Sequence, residues 1–585
     1  MKTLLPFEQP YFLIRNSPFC WFEFSKPIEV YSIREAEHIM PALAEIEKTI
    51  EKYRVCAAVF ISYEAASGFD PSLKVNTEQH FPLMGLAVYE KPNLVPRLPQ
   101  PSRMDLRLEW KPNLTFEEYC QNVAGIRRLI AQGDIYQLNY TWRLLTQGDF
   151  DCWQFFLAFA QEAPYAVYAV WDDWVICSAS PELFFRLNGS HIETRPMKGT
   201  APRGRWPEED AEISKRLAFS EKDRAENVMI VDMVRNDVGR IAETGSVKVA
   251  SLFEIEKYPT VWQMTSTVCA KVDTSISGIL QALFPAASIT GTPKCRSMQR
   301  IADLETTPRR IYTGSVGYIL PKRRAQFNVA IRTILYNHRE QTAEYGVGGG
   351  IVWDSLPKKE HQECLTKAAV LYRRPIDFDL FETMLWKPNE GYILFDYHLE
   401  RLQRSADYFD YRCDLQKIRR QLYEQSRRLQ REPHKVRLFL SACGNIRIDS
   451  EPLPPDWTKF GPLIPAKEPV DSSNVFLFHK TTFRKVYEAA QSAAPKGYEI
   501  LLYNESEEVT ETTTANVAFE IEGVLYTPPI QCGLLAGTFR RFLLEKGLLI
   551  EKIISLQDLA NVQSVYLFNS IRGLQKVKLA CQGVN

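Results

Sequence analysis

VCAAVFISYEA (55–65) and YAVYAVW (165–171) read as short alternating strands, and between them LTFEEYCQNVAGIRRLIAQGD (114–134) repeats its apolar residues at helical spacing. Strands and helices follow one another here without a regular βαβ rhythm. That order predicts an α+β arrangement and argues against a Rossmann sheet.

The chain of 585 residues is too long for one core, and its length predicts two large enzymatic domains or several smaller ones. A helical pattern over 358–372 ends in RRPI, where Pro375 stops it before a new start at DFDLFETMLW. The expected domains are therefore 1–375 and 376–585. Apolar residues at 45% and charged residues at 24% describe an ordinary globular protein. Lys plus Arg equals Asp plus Glu, 71 of each, so no net field attracts nucleic acid or anionic lipid. No apolar run is long enough to span a membrane. Residues 1–16 are broken by Pro6, Glu8 and Pro10 and hold no signal-peptide core. The twelve cysteines are scattered without a C-x-x-C pair, which suits a reducing, cytoplasmic compartment.

The chemistry of the first half starts at RPMKGT (195–200), where Lys198 stands beside a glycine-threonine turn, a position open to a nucleophile. In EKDRAENVMIVDMVRNDVGR (221–240), Asp223 and Glu226 share one helix face, and in KKEHQECLTKAA (358–369) Glu360 and Glu363 repeat that spacing. Two such helices can hold magnesium, a hard ion that prefers oxygen ligands and keeps several waters. SPELFFR (180–186), SITGTPKCRSM (288–298), GSVGY (314–318), AIRT (330–333) and GVGGGIVWDS (346–355) complete the ordered set. Arg332 suits a substrate carboxylate, and the glycines let backbone N–H groups come close to a ligand.

Together these blocks resemble the chorismate-utilising enzymes, in which anthranilate-forming members carry alanine where Lys198 stands and members that aminate C4 carry lysine. The resemblance implies two large antiparallel sheets packed as a sandwich, helices outside and the site between the layers. It implies Lys198 as nucleophile, Glu182 as general acid, and Glu226 and Glu363 as magnesium ligands with Asp223 and Glu360 behind them. Thr200, Arg332, Gly348 and Gly349 are the expected substrate contacts. A general acid needs its pKa raised and a nucleophilic lysine needs its pKa lowered. One departure is visible: VWQMTS puts Gln263 where the family usually has histidine, and an amide cannot exchange protons near neutrality.

The second half resembles the fold-type IV pyridoxal-phosphate enzymes, which include lyases acting on aminated chorismate, branched-chain aminotransferases and D-amino-acid aminotransferases. FETM (381–384) and HLERLQRSA (398–406) match its opening, with Arg401 as an expected phosphate ligand. HKTTFRKVY (479–487) makes Lys480 the lysine that links to the cofactor. VTETTTANVAF (509–519) supplies Glu511 for the pyridinium nitrogen. GLLAGTFRR (533–541) and FNSIRG (568–573) supply Gly537, Thr538, Asn569 and Ser570 as phosphate contacts.

Ammonia for the first reaction needs a source, and no G-x-C-x-G nucleophile turn occurs; Cys443 in SACGN fails on spacing. A separate glutaminase subunit is the expected partner, and tryptophan feedback is not expected. The second half's family suggests a homodimer. The combined expectation is a two-step route from chorismate to p-aminobenzoate for folate. Two alternatives stay open: an anthranilate-type synthase joined to an aminotransferase, and a non-catalytic scaffold for a glutaminase.

Overall fold

A computed structural model describes residues 10–580 apart from 18–19, 100, 102–107, 150, 161–162, 373–375 and 430–431. Pro375, where the domain junction is expected, and the first nine residues of the stretch read for a signal core lie outside the described residues. The chain separates into two compact units. One is Met1–Pro202 with Ser214–Pro375, and the other is Arg203–Ile213 with Ile376–Asn585. The segment Arg203–Ile213, expected in the first domain, thus packs within the second unit.

The first unit is built on two ten-stranded sheets whose pairings are antiparallel. In one, the central order is Gln137–Gln147, Thr342–Ile351, Thr333–Asn337, Trp174–Ser178 and Val167–Trp171; in the other, Met197–Pro202, Val261–Lys271, His191–Arg195, Leu183–Asn188 and Arg324–Asn328. The two strands quoted first above are Cys56–Ile61 and Val167–Trp171, and every residue in both is buried. They do not alternate between core and solvent because each sheet is covered on both faces. Ala58, Phe60, Ala169 and Trp171 meet in a layer shared by the two sheets. Ala57, Val59 and Ile61 face instead a core that includes Ile39, Leu43 and Ile46 of the Ile39–Tyr53 helix. Tyr168 and Val170 face a core with Tyr119, Val123 and Ile126 of the Phe116–Ala131 helix. That helix starts at a capping box, with Thr115 accepting from the Glu118 N–H and Glu118 accepting from the Thr115 N–H. Mixed helices and antiparallel sheets in this layering make the unit α+β.

The second unit has three smaller sheets. A four-stranded sheet containing Leu380–Lys387 and His434–Leu440 packs Leu380, Met384, Val436 and Leu438 against Leu399 and Leu402 of the Phe395–Phe409 helix and Ile418 and Leu422 of the Leu415–Ser426 helix. A three-stranded sheet and a five-stranded sheet follow, sharing the core made by Leu463, Leu501, Val509, Val517, Phe519 and Leu567. The described cysteines are free thiols, and no described helix is long and apolar enough to cross a membrane.

Candidate active sites

Lys198 owes its direction to an irregularity in its own strand. Met197–Pro202 pairs with Val261–Lys271 in a register that shifts between Met197 and Thr200, where Gly199 adopts φ +94°. A Cβ on Gly199 would lie 3.0 Å from Asp223 Cβ and 3.2 Å from Met264 Cβ, so both conformation and space call for glycine. Gln263 fastens this bulge with both ends of its amide: Nε2 donates to the Gly199 carbonyl at 2.8 Å, and Oε1 accepts from Thr200 Oγ1 at 3.0 Å. Asn227 Nδ2 donates to the Lys198 carbonyl at 3.4 Å while its Oδ1 accepts from Ser266 Oγ at 2.6 Å.

The bulge opens on a cleft of about 1030 Å³, its solvent-open mouth included. Lys198, Glu182, Thr200, Glu226, Arg332, Gly348 and Glu363 all line it, together with Asp223, Gln263 and Glu360. Gly348 and Gly350 line it where Gly349 does not; a Cβ on Gly349 would point toward Lys367 Nζ at 3.7 Å. On Gly350, a Cβ would fall 3.3 Å from Lys198 Nζ and 2.3 Å from Gln137 Nε2, so this glycine keeps room around the lysine.

The electrostatics run in the directions that acid and nucleophile require. Burial pushes the Glu182 carboxyl up to about 7, against the lowering effect of a Ser288 hydroxyl that donates to it at 2.6 Å and of nearby Lys198. Burial, helped by Lys367, pulls Lys198 below an ordinary lysine, although Glu226, Glu182 and Glu363 oppose the change. Burial raises Glu226 and Glu360, whereas the Lys367 ammonium holds Glu363 down. Lys367 Nζ lies 2.8 Å from Glu363 Oε1 and donates to the Gly348 carbonyl at 3.0 Å. The i,i+4 spacing of Glu363 and Lys367 was a readable signal for this pair. Asn227 and Ser288 had no comparable local signal.

Magnesium fits this donor set. Glu226 and Glu363 come from the Glu221–Gly239 and Pro357–Ala368 helices to one cavity wall, with Asp223 and Glu360 beside them. Among the described residues, the group of three ligand atoms within 4.8 Å of one another is the exposed Glu35, Glu37 and His38. The cavity carboxylates do not form so close a cluster, so a magnesium ion held there would need water or substrate oxygens to complete its shell.

In the second unit, Lys480 is half-buried, and its ammonium lies 4.7 Å from the centre of the Phe381 ring. Burial and the charge of Arg401 bring its pKa down to about 7. Arg401 is fixed by a two-point pair with Glu382, at 2.9 and 2.6 Å, and also donates to the Ala536 carbonyl at 3.3 Å. Glu382 further meets His398 Nδ1 at 2.6 Å, and the Arg401 charge together with this hydrogen bond keeps its carboxyl down at about 2 despite burial. His398 Nε2 in turn meets Thr538 Oγ1 at 3.3 Å. Thr538 begins the Thr538–Glu545 helix behind Gly537, where a Cβ would collide with Asn516 Oδ1 at 2.0 Å.

Glu511 is buried and accepts from Tyr487 Oη at 2.9 Å, the Leu535 N–H at 3.1 Å and Asn516 Nδ2 at 3.2 Å; burial raises it to about 7. Asn569 Oδ1 accepts from the Ile571 and Arg572 N–H groups, and Ser570 Oγ donates to the Thr383 carbonyl at 3.3 Å, so both are tied to main chain. Pyridoxal phosphate fits these residues. An arginine beside a glycine-led helix start suits a phosphate, and a buried carboxyl suits a pyridinium nitrogen.

Comparison with known proteins agrees with this division. Residues 91–373 match the chorismate binding enzyme family, and residues 379–580 match amino-transferase class IV. Aminodeoxychorismate synthase component 1 of Salmonella typhimurium is 40% identical over 273 residues, 46% of this chain and 60% of that protein. Anthranilate synthase component 1 of Aquifex aeolicus is also 40% identical, over 268 residues, 45% of this chain and 54% of that protein. The chain thus spans little more than half the length of these relatives. The crystal structure of anthranilate synthase component I from Streptococcus pneumoniae aligns with a TM-score of 0.53 at 25% identity, over 64% of this chain and 94% of that one.

Proposed function

We propose a bifunctional enzyme that makes p-aminobenzoate, from the pairing in one chain of a match to the chorismate binding enzyme family over residues 91–373 with a match to amino-transferase class IV over residues 379–580. The first domain acts as an aminodeoxychorismate synthase, and the second as a 4-amino-4-deoxychorismate lyase. Equal identity to an aminodeoxychorismate synthase and to an anthranilate synthase leaves the choice to the site. Lys198, turned into the cavity that Glu182 also lines, is the observation that carries the reading.

In the first step, the Lys198 amine, kept low in pKa, attacks C2 of chorismate while the C4 hydroxyl leaves as water with the proton held by Glu182. Ammonia then adds at C4 and expels the lysine. Arg332 and the Thr200 hydroxyl orient the substrate. In the second step, Lys480 Nζ takes the C4 proton, the enolpyruvyl group leaves as pyruvate, and the ring becomes aromatic. What magnesium would supply at Glu226 and Glu363 is charge neutralisation at a ring carboxylate, and what pyridoxal phosphate would supply at Arg401, Thr538 and Glu511 is an electron sink. A separate glutaminase subunit provides the ammonia, a reading supported by the component 1 name of the Salmonella relative. The setting is the cytoplasm.

Incubation of the purified chain with chorismate, ammonium, magnesium and pyridoxal phosphate tests the proposal. p-Aminobenzoate and pyruvate in equal amounts are expected. Anthranilate as product, or amino transfer that depends on an added keto acid, would replace it with the synthase–aminotransferase alternative.

A further inference from the structure

The Lys480 segment is gripped on one side by residues distant in sequence. Within the second unit, Trp206 stacks on Phe478 with ring centres 5.1 Å apart and planes 27° apart, and it joins the core of Ile464, Val470, Leu477 and Ile500. Arg205 donates to the Ser472 carbonyl at 3.2 Å. Arg203 makes a two-point pair with Asp210, 2.8 Å from Nε to Oδ1 and 2.7 Å from Nη2 to Oδ2, and both side chains are only 7% exposed. Asp210 Oδ1 also accepts from the Gly204 N–H at 2.8 Å.

This closed loop is fastened to Tyr408. The Arg203 guanidinium lies 4.6 Å from the Tyr408 ring centre and donates to its carbonyl at 3.2 Å, while Tyr408 Oη donates to the Gly204 carbonyl at 2.6 Å. The Tyr408 ring then lies 4.4 Å from that of His479, whose Nδ1 meets Ser405 Oγ at 3.0 Å. Phe478 and His479 are the two residues before Lys480. On the far side of the segment, the Lys480 carbonyl accepts from the Phe381 N–H at 3.0 Å.

We propose that the segment Arg203–Ile213 is a positioning clamp for Lys480, acting through Trp206 on Phe478 and through the Arg203–Asp210 loop and Tyr408 on His479. The lyase site is then completed by a segment encoded immediately after the strand that bears Lys198. A lysine held at one place among fixed charges has its reactivity set by that place. The groups that act on Lys480 are Arg401 and Arg484, which lower its basicity, and Glu382 and Glu511, which raise it. Displacement of the main chain at 478–479 moves the ammonium relative to all four and opens its pocket to water. The clamp's link to lyase catalysis rests on the function proposed above, whereas its effect on Lys480 does not.

The test is trace acetylation of the full-length, cofactor-free protein across pH 5 to 11, with labelling at each lysine read by mass spectrometry. In the parent, Lys480 labelling should have its midpoint near about 7. Trp206→Ala should move that midpoint up by about one pH unit, a tenfold loss of labelling at pH 6, and Trp206→Phe should restore the parent profile because it keeps a stacking ring. Tyr408→Phe, which removes the bond to Gly204 and keeps the ring, should give a smaller shift in the same direction. The Lys198 profile in the same samples should not change, which separates a local effect from general unfolding. An unshifted Lys480 midpoint in folded Trp206→Ala overturns the clamp; if that variant does not fold, an unshifted midpoint in Tyr408→Phe overturns it. A second measurement on the parent, borohydride fixation of added pyridoxal phosphate, identifies the lysine that takes the cofactor. Fixation elsewhere than Lys480 removes the lyase reading and leaves the clamp to be decided by the labelling midpoints alone.

Discussion

Two half-buried lysines, each with its basicity lowered, occupy the two candidate sites, yet the carboxylates beside them are arranged in opposite ways. Around Lys480 they are committed: Glu382 is taken up by Arg401 and His398, and Glu511 by Tyr487, Asn516 and the Leu535 N–H. Around Lys198, Glu226 and Glu363 line open cavity, and the ion pairs they make among the described residues are with lysines, Lys222 at 3.8 Å and Lys367 at 2.8 Å. Closed carboxylates orient other groups, whereas open ones are free to exchange a lysine for a metal ion. The first site is therefore built to be reorganised by its ligands and the second to be rigid before they arrive.

The largest effect expected from disturbing this contrast is at the nucleophile. Lys198→Ala should lower amination of chorismate by about a thousandfold or more while sparing lyase turnover of supplied aminodeoxychorismate. A variant that aminates at the parent rate with ammonium would remove Lys198 from the covalent route. Lys480→Ala should take away the visible absorbance of the bound cofactor and leave chorismate consumption intact, so that aminodeoxychorismate accumulates, as product separation would reveal. Glu226→Gln or Glu363→Gln should weaken magnesium affinity, because a neutral amide is a poorer ligand for a hard divalent ion, and reduce synthase activity with it. Synthase turnover indifferent to a chelator would end the metal assignment.

A smaller effect is expected from pH. Glu182 has its pKa raised to about 7, so its proton is present below that value and lost above it. Synthase turnover should fall as pH rises through about 7, approaching tenfold per unit, and Glu182→Gln should be slow at every pH with that limb gone. The smallest change belongs to Arg401→Ala, which removes one proposed phosphate partner and leaves the others in place. Cofactor binding should weaken, and excess pyridoxal phosphate should restore most of the lyase rate.

What the sequence revealed follows the range of the interactions concerned. Lys198, Glu226 and Glu363 were legible because contiguous strings carry them and because helical spacing places the carboxylates on one face. Gln263 was visible only as a departure, and its grip on Gly199 and Thr200 depends on a strand pairing across 63 residues. The strand at 56–61 reads as apolar throughout, but only the layering explains why both of its faces are buried. The passage of residues 203–213 into the second unit left no trace, since the local text continues as an ordinary turn leading into a helix. Its partners Tyr408 and Phe478 are more than 200 residues away.

That excursion also bears on how the protein could be taken apart. A protease that cuts the connection between the halves would leave the polypeptide severed but the second unit still threaded by its borrowed segment, so the nicked pieces should migrate together until denatured. A gene truncated to residues 376–585 would instead encode a second unit with an open seam beside Lys480. Separating the chain into two independent proteins therefore requires more than a stop codon and a start codon, because the freed second unit would have to replace Trp206 and its neighbours with residues of its own.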